Sequence, residues 1–166
     1  MKVLLFCLFL IPILGFGQEY KKIINTNTGE KILIGITSKK VYQDKDFSEW
    51  FNNEYTNYKV DTDLLSHYKD KLEGKVIRIV LGTWCSDSRR EVPRFIKILD
   101  FLDFPEDKLL LINVDTEKKG LSDETEGLNI EFVPTIIVYS SGKEIGRIIE
   151  TPIETLEKDL VNILKN

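Results

Sequence analysis

The residue of this sequence best placed to do chemistry is a cysteine among polar neighbours. Cys85 lies in the stretch Thr83-Trp84-Cys85-Ser86-Asp87-Ser88-Arg89-Arg90. An apolar run, Val76 to Leu81, leads into it. A helical pattern of Val92, Phe95, Ile96, Leu99 and Leu102 follows. The thiol is therefore expected where a buried strand stops and a helix starts. Free N–H groups and the partial positive charge of a helix N-terminus stabilise an anion there. A thiolate is an anion, and this placement is one way to lower a cysteine pKa. Arg89 and Arg90 add positive charge in the first turn or so, and are expected to stabilise the thiolate. Ser88, three residues on, can turn its hydroxyl back to the sulfur. Asp87 acts the other way. A free cysteine is more often a small apolar core residue. The polar neighbours here favour a reactive nucleophile, whose chemistry is attack on a disulfide to give a mixed disulfide.

Other chemistries find no support. The chain has 166 residues, with 42% apolar and 30% charged, as an ordinary globular domain has. A net charge of −4, with no basic cluster to offset it, argues against a nucleic-acid surface. The single histidine, His67, lies far in sequence from Cys85, so no dedicated zinc site and no metal is expected. No phosphate-cradling glycine loop or nucleophile elbow occurs, and no cofactor is implied.

The first seventeen residues read as a leader. Lys2 is a short positive region, Val3 to Phe16 is almost wholly apolar, and Gly15 and Gly17 are small residues before Gln18. That is the pattern of a secretory signal peptide, too short for a spanning helix. Cleavage near Gly17/Gln18 would remove Cys7 and leave Cys85 as the one thiol of a periplasmic or secreted protein, with no membrane span. A lone thiol in an oxidising compartment points to a reactive or intermolecular role.

The elements that must hold Cys85 follow in order. Residues 18–45 read as an N-terminal extension, and 46–166 as the domain. Lys31 to Ile36 is strand-like, either an added edge strand or the first strand of the fold. Asp46 with Glu49 resembles a capping box opening a helix. Its aromatic face, Phe47, Trp50, Phe51, Tyr55 and Tyr58, reads as core packing rather than a ligand platform. Asp61 caps a second helix that ends at Gly74. Val76 to Leu81 and Leu109 to Val114 are buried strands joined through the Cys85 helix, so a parallel pair is expected. Arg78 is expected toward one end of its strand. Residues 116–129 are polar and acidic. Thr135 to Tyr139 and Glu144 to Glu150 form a hairpin about Gly142. Thr151-Pro152-Ile153-Glu154 is expected to open the last helix, with Ile153, Leu156, Leu160 and Ile163 inward.

Two motifs carry a family resemblance. Trp84-Cys85-x-x-Ser88, a basic residue after it, and Pro93 eight positions past the cysteine resemble the active-site helix of the thioredoxin superfamily. Phe132-Val133-Pro134-Thr135 resembles that family's cis-proline loop. The resemblance covers roughly residues 75–166. It implies an α/β, three-layer fold, a mixed central sheet with helices on both faces. It also implies Cys85 as nucleophile and substrate contact at Trp84, Val133, Pro134 and Thr135. There are departures: Ser88 stands where a second cysteine is usual, Ile79 where many members bury an acid, and Phe132 where the residue is often small. Ser88 cannot resolve a mixed disulfide, so an external thiol would have to. Two readings follow. One is a monothiol oxidoreductase acting on exported protein thiols or small thiols with an external reductant. The other is a binding or chaperone-like module on the same fold. The Trp-Cys entry, the arginines and the Pro-Thr loop favour the first.

Overall fold

Strand β3 (Lys75–Leu81) is the axis of the sheet. In the computed structural model, which describes residues 19–26 and 28–165, β3 pairs in parallel with β4 (Leu109–Asn113). On its other side it pairs antiparallel with β5 (Thr135–Ser140). Helix α3 (Ser86–Phe101) joins β3 to β4, as the strand–helix–strand order requires. Strand β6 (Lys143–Ile149) returns antiparallel to β5 through a turn whose residues Ser141 and Gly142 both have positive φ, 49° and 76°. The expected leader, 1–17, lies outside the described residues.

The 18–45 segment, read as an extension, supplies two strands of the same sheet. β2 (Lys31–Thr37) pairs antiparallel with β4 and takes an interior place, and β1 (Tyr20–Ile24) forms the edge beyond it. The full order is β1-β2-β4-β3-β5-β6.

The sheet's faces are covered differently. On one face Ile77, Ile79 and Leu81 of β3, Leu111 and Ile136 meet Val92, Phe95, Ile96 and Leu99 of α3. Helices α1 (Ser48–Asn57), α2 (Thr62–Leu65) and α4 (Leu156–Leu164) add Phe51, Leu65, Leu160 and Val161 to this cluster. Tyr42 stacks on Phe51 at 5.3 Å and 8° between ring planes, so the aromatic stripe is core packing. The opposite face, Val80, Ile112 and Ile137, meets Val114, Leu128 and Val133. Helices were expected on both faces. The second face is instead covered by the segment between β4 and β5, which forms no helix among the described residues. Asp115 explains part of this: its Oδ1 accepts from the backbone N of both Glu117 and Lys119, at 2.9 Å, holding the chain in a turn.

Four local expectations are corrected. Asp46 does not cap α1; Phe47 is at that position without a side-chain cap, and the Asp46 carboxylate pairs with Lys22 and Lys31. Arg78 is in mid-strand, opposite Leu110 and Ile137, with its guanidinium 5.0 Å from the Tyr139 ring centroid. The loop-covered face leaves room for its long stem and charged head. Helix α4 starts at Leu156, later than Pro152 suggested. Thr155 is its cap, accepting from Lys158 N at 3.2 Å. The N–H groups of Ile153 and Glu154 are held by the Asp159 carboxylate, and Ile153, expected inward, is 95% exposed. Asp61 does cap α2, its Oδ1 accepting from Leu64 N at 3.0 Å, but the helix expected to reach Gly74 stops at Leu65, and a separate 3-10 turn, Lys69–Leu72, follows.

Candidate thiol site

A tight turn places the sulfur. Cys85 N donates to Gly82 O at 2.9 Å, and Cys85 O accepts the first α3 bond from Arg89 N at 3.0 Å. Cys85 is thus the N-cap of α3, in an extended conformation (φ −89°, ψ 128°). Its side chain is half-buried, and Sγ donates to Val133 O at 3.2 Å. The Val133–Pro134 peptide is cis. Two stretches 48 residues apart therefore meet at one sulfur.

The flanking side chains each have a structural tie. Trp84 Nε1 donates to Val114 O at 2.9 Å, laying the indole over Gly82. A Cβ on Gly82 would lie 2.5 Å from Trp84 Cε2, so only glycine fits beneath the ring. Thr135 Oγ1 donates to Phe132 O at 2.7 Å, and Pro134 O accepts from Glu150 N at 2.7 Å, which fastens the loop facing the thiol. Phe132 itself is 48% exposed beside the site.

Of the predicted site residues, the structure brings Trp84, Cys85 and Val133 into one apolar cluster. It does not bring Ser88, Arg89 or Arg90 into hydrogen-bond contact with the sulfur. Ser88 is fully buried, and its Oγ accepts from Gly82 N at 3.2 Å. Arg89 Nε donates to Thr83 O at 2.6 Å and Nη2 to Glu30 Oε2 at 3.0 Å. Arg90 donates to Glu91 Oε1 at 2.6 Å and to Asp87 Oδ1 at 2.7 Å, and these carboxylates, Glu91 foremost, hold its pKa above the ordinary guanidinium value. Both arginines are therefore engaged with oxygen acceptors, because a nearby carboxylate or carbonyl is a stronger partner than a thiol. Ile79 is fully buried where the resemblance would put an acid.

Sequence reasoning missed Gly82, Thr83, Val114 and Glu30. A glycine at the end of an apolar strand was a usable signal for a close approach. Glu30 gave none, lying 59 residues from Arg89. A cleft of about 740 Å³ opens beside this region, lined by Glu30, Lys31, Lys45, Asp46, Glu49, Trp50, Asn53 and Arg89; Cys85 is not in its lining. Among the described residues no three His, Cys, Asp or Glu side chains gather as a metal would need, and His67 is exposed. No described helix is long and apolar enough to cross a membrane.

No family model matches the chain. A curated thioredoxin-like protein of Acanthamoeba polyphaga mimivirus is 29% identical over 92 residues, covering 55% of this chain and 64% of that protein. The chain thus spans just under two thirds of that relative's length. Among solved structures, it is similar to mitochondrial thioredoxin 3 of Saccharomyces cerevisiae, oxidised form, at 18% identity, 61% of this chain, 88% of that one and a TM-score of 0.39. It is also similar to oxidised thioredoxin O2 of Arabidopsis thaliana, at 20% identity, 63% of this chain, 83% of that one and a TM-score of 0.39.

Proposed function

We propose that this thioredoxin-like chain is an exported monothiol protein that exchanges disulfides through Cys85. One observation carries the reading: Cys85 stands at the N-cap position of α3, and its Sγ, which makes no cap bond of its own, donates to Val133 O at the cis Val133–Pro134 bond, 3.2 Å away. An incoming extended disulfide partner would run along the Val133 backbone and over Trp84. The Cys85 thiol gives its proton to solvent, and the thiolate attacks one sulfur of the partner disulfide. The partner S–S bond breaks, a Cys85–partner S–S bond forms, and the second partner sulfur leaves as a thiolate. Ser88 has no sulfur to continue, so a second thiol from solution attacks the mixed disulfide, returns Cys85 as thiolate and leaves the partner joined to that thiol. Exported proteins and small thiols are the partners, and an external thiol is the reductant.

A second reading, a binding module on the same fold, draws on Ser88 and Ile79. Both are fully buried, Ser88 with its Oγ on Gly82 N, and neither offers an ionisable group to the sulfur.

The deciding experiment is mass spectrometry of proteins disulfide-linked to Cys85, with insulin reduction measured with and without glutathione. Wild type should capture partners and turn over only with the added thiol. Ser88→Cys should release captured partners, and Cys85→Ala should abolish capture. If wild type captures nothing and Ser88→Cys gains no reductase activity, the binding module is the correct reading. Export is checked separately: N-terminal sequencing of the protein outside the cytoplasm should begin near Gln18, and a full-length membrane-embedded chain would refute it.

A further inference from the structure

We infer that Arg89, Thr83 and Glu30 form a clamp that ties the start of β2 to the turn carrying Cys85, so that Arg89 positions the thiol through the backbone rather than by its charge. Thr83 is fully buried, two residues before the cysteine, and both of its side-chain and carbonyl oxygens are taken. Leu33 N donates to Thr83 Oγ1 at 3.0 Å, and Arg89 Nε donates to Thr83 O at 2.6 Å. Arg89 Nη2 reaches on to Glu30 Oε2 at 3.0 Å. Glu30 and Leu33 flank the first residues of β2, and Arg89 lies in the first turns of α3. The bonds therefore close a ring, from β2 to Thr83, to Arg89, and back to β2.

The ring holds the turn from one side, while Gly82 holds it from the other through Cys85 N and Ser88 Oγ. The sulfur alone is left half-exposed at the end of a fixed backbone. Only arginine suits the middle of the ring: its planar fork presents Nε and Nη at a set spacing, whereas a lysine offers one point charge. The pairing with Glu30 is open to solvent, with side chains 30% and 51% exposed, so it contributes little by itself. The part-buried bond to the Thr83 carbonyl carries the clamp, and Glu30 aims the guanidinium at it.

This inference rests on Cys85 being the working group of the proposed function, but its test needs no disulfide exchange. The measurements are amide hydrogen exchange at Cys85 and iodoacetamide alkylation of the thiol across pH. They are made on the full chain for wild type, Arg89→Lys, Arg89→Ala and Glu30→Ala. Arg89→Lys keeps the charge and loses the fork. With the clamp as inferred, it resembles Arg89→Ala: exchange at Cys85 rises about tenfold, the factor matching ~1.4 kcal/mol of net hydrogen bonding, and alkylation at the high-pH plateau is faster. Glu30→Ala moves both in the same direction by less. If Arg89→Lys behaves as wild type while Arg89→Ala shifts the pH midpoint of alkylation, charge is what Arg89 supplies and the clamp is overturned. Should the Arg89 variants fail to fold, unchanged Cys85 exchange in Glu30→Ala overturns it as well. Absent mixed disulfides alongside the expected exchange and alkylation would sink the proposed function and leave the clamp standing.

Discussion

On one face of the sheet, Phe95, Ile96 and Leu99 of α3 close over Ile77, Ile79 and Leu81, and α1, α2 and α4 pack around them. On the other, Val80, Ile112 and Ile137 form a smaller cluster with Val114, Leu128 and Val133, from a segment held by turns, and Ile130 packs against it. The thiol belongs to the second, smaller cluster: Trp84 and Cys85 pack against it. Helix α3 thus serves both, its apolar stripe sealing the large core and its N-cap presenting the sulfur at the sheet's end. The contrast teaches a division of labour. Apolar burial is larger on the helical face, so truncating side chains there should cost the fold more than truncating them on the face that carries the sulfur.

The strongest way to break this contrast is Phe95→Ala, on the helical face. Phe95 is fully buried, and its truncation is expected to cost about 3–5 kcal/mol. A urea titration should show the midpoint falling with the slope unchanged. Tyr58→Phe tests a polar tie of the same face. Tyr58 Oη donates to Glu157 at 2.9 and 3.0 Å, and that carboxylate is only 2% exposed. Losing a bond to a buried charge should cost about 1.5–3 kcal/mol, seen in thermal unfolding.

Alkali should attack the same face. Burial, then the Asp100 carboxylate, push the Tyr55 phenol up to about 12; burial, then Glu157, raise Tyr58, and burial raises Tyr42. The folded pKa values exceed the unfolded one, so this contribution is complete below pH ~10 and is lost as pH rises through the folded values. Circular dichroism across that range should show stability falling, and Tyr58→Phe should lose less of it. The smallest effect is expected on the loop-covered face. Ile137→Val should cost about 0.5–1.5 kcal/mol, with Cys85 alkylation unchanged. An Ile137→Val loss as large as that of Phe95→Ala would erase the distinction between the faces.

Local pattern made much of this legible. The apolar run into Cys85, the helical stripe after it and the Asp61 cap each depend on neighbours within a few residues, and the structure has them. Where local signals misled, a different partner had taken the group. Asp46 looked like a cap and instead answers Lys22 and Lys31 from the strands. Pro152 looked like a helix start, but Asp159 holds the next two N–H groups in a loop.

What the sequence by itself determined is therefore the thiol's place at a strand-to-helix junction, the parallel β3–β4 pair and the α/β class of the fold. These follow from periodicity, capping and adjacent motifs. Only the tertiary structure decided which face is left to a loop, and what Arg89, Arg90 and Ser88 bind. Only Glu30 is far away in sequence, 59 residues from Arg89; the other partners lie within six residues, and the tight turn between β3 and α3 decides which of them each side chain meets. Glu30 and Thr83 take Arg89, and Gly82 takes Ser88, each through a well-aimed oxygen or N–H partner in place of the sulfur.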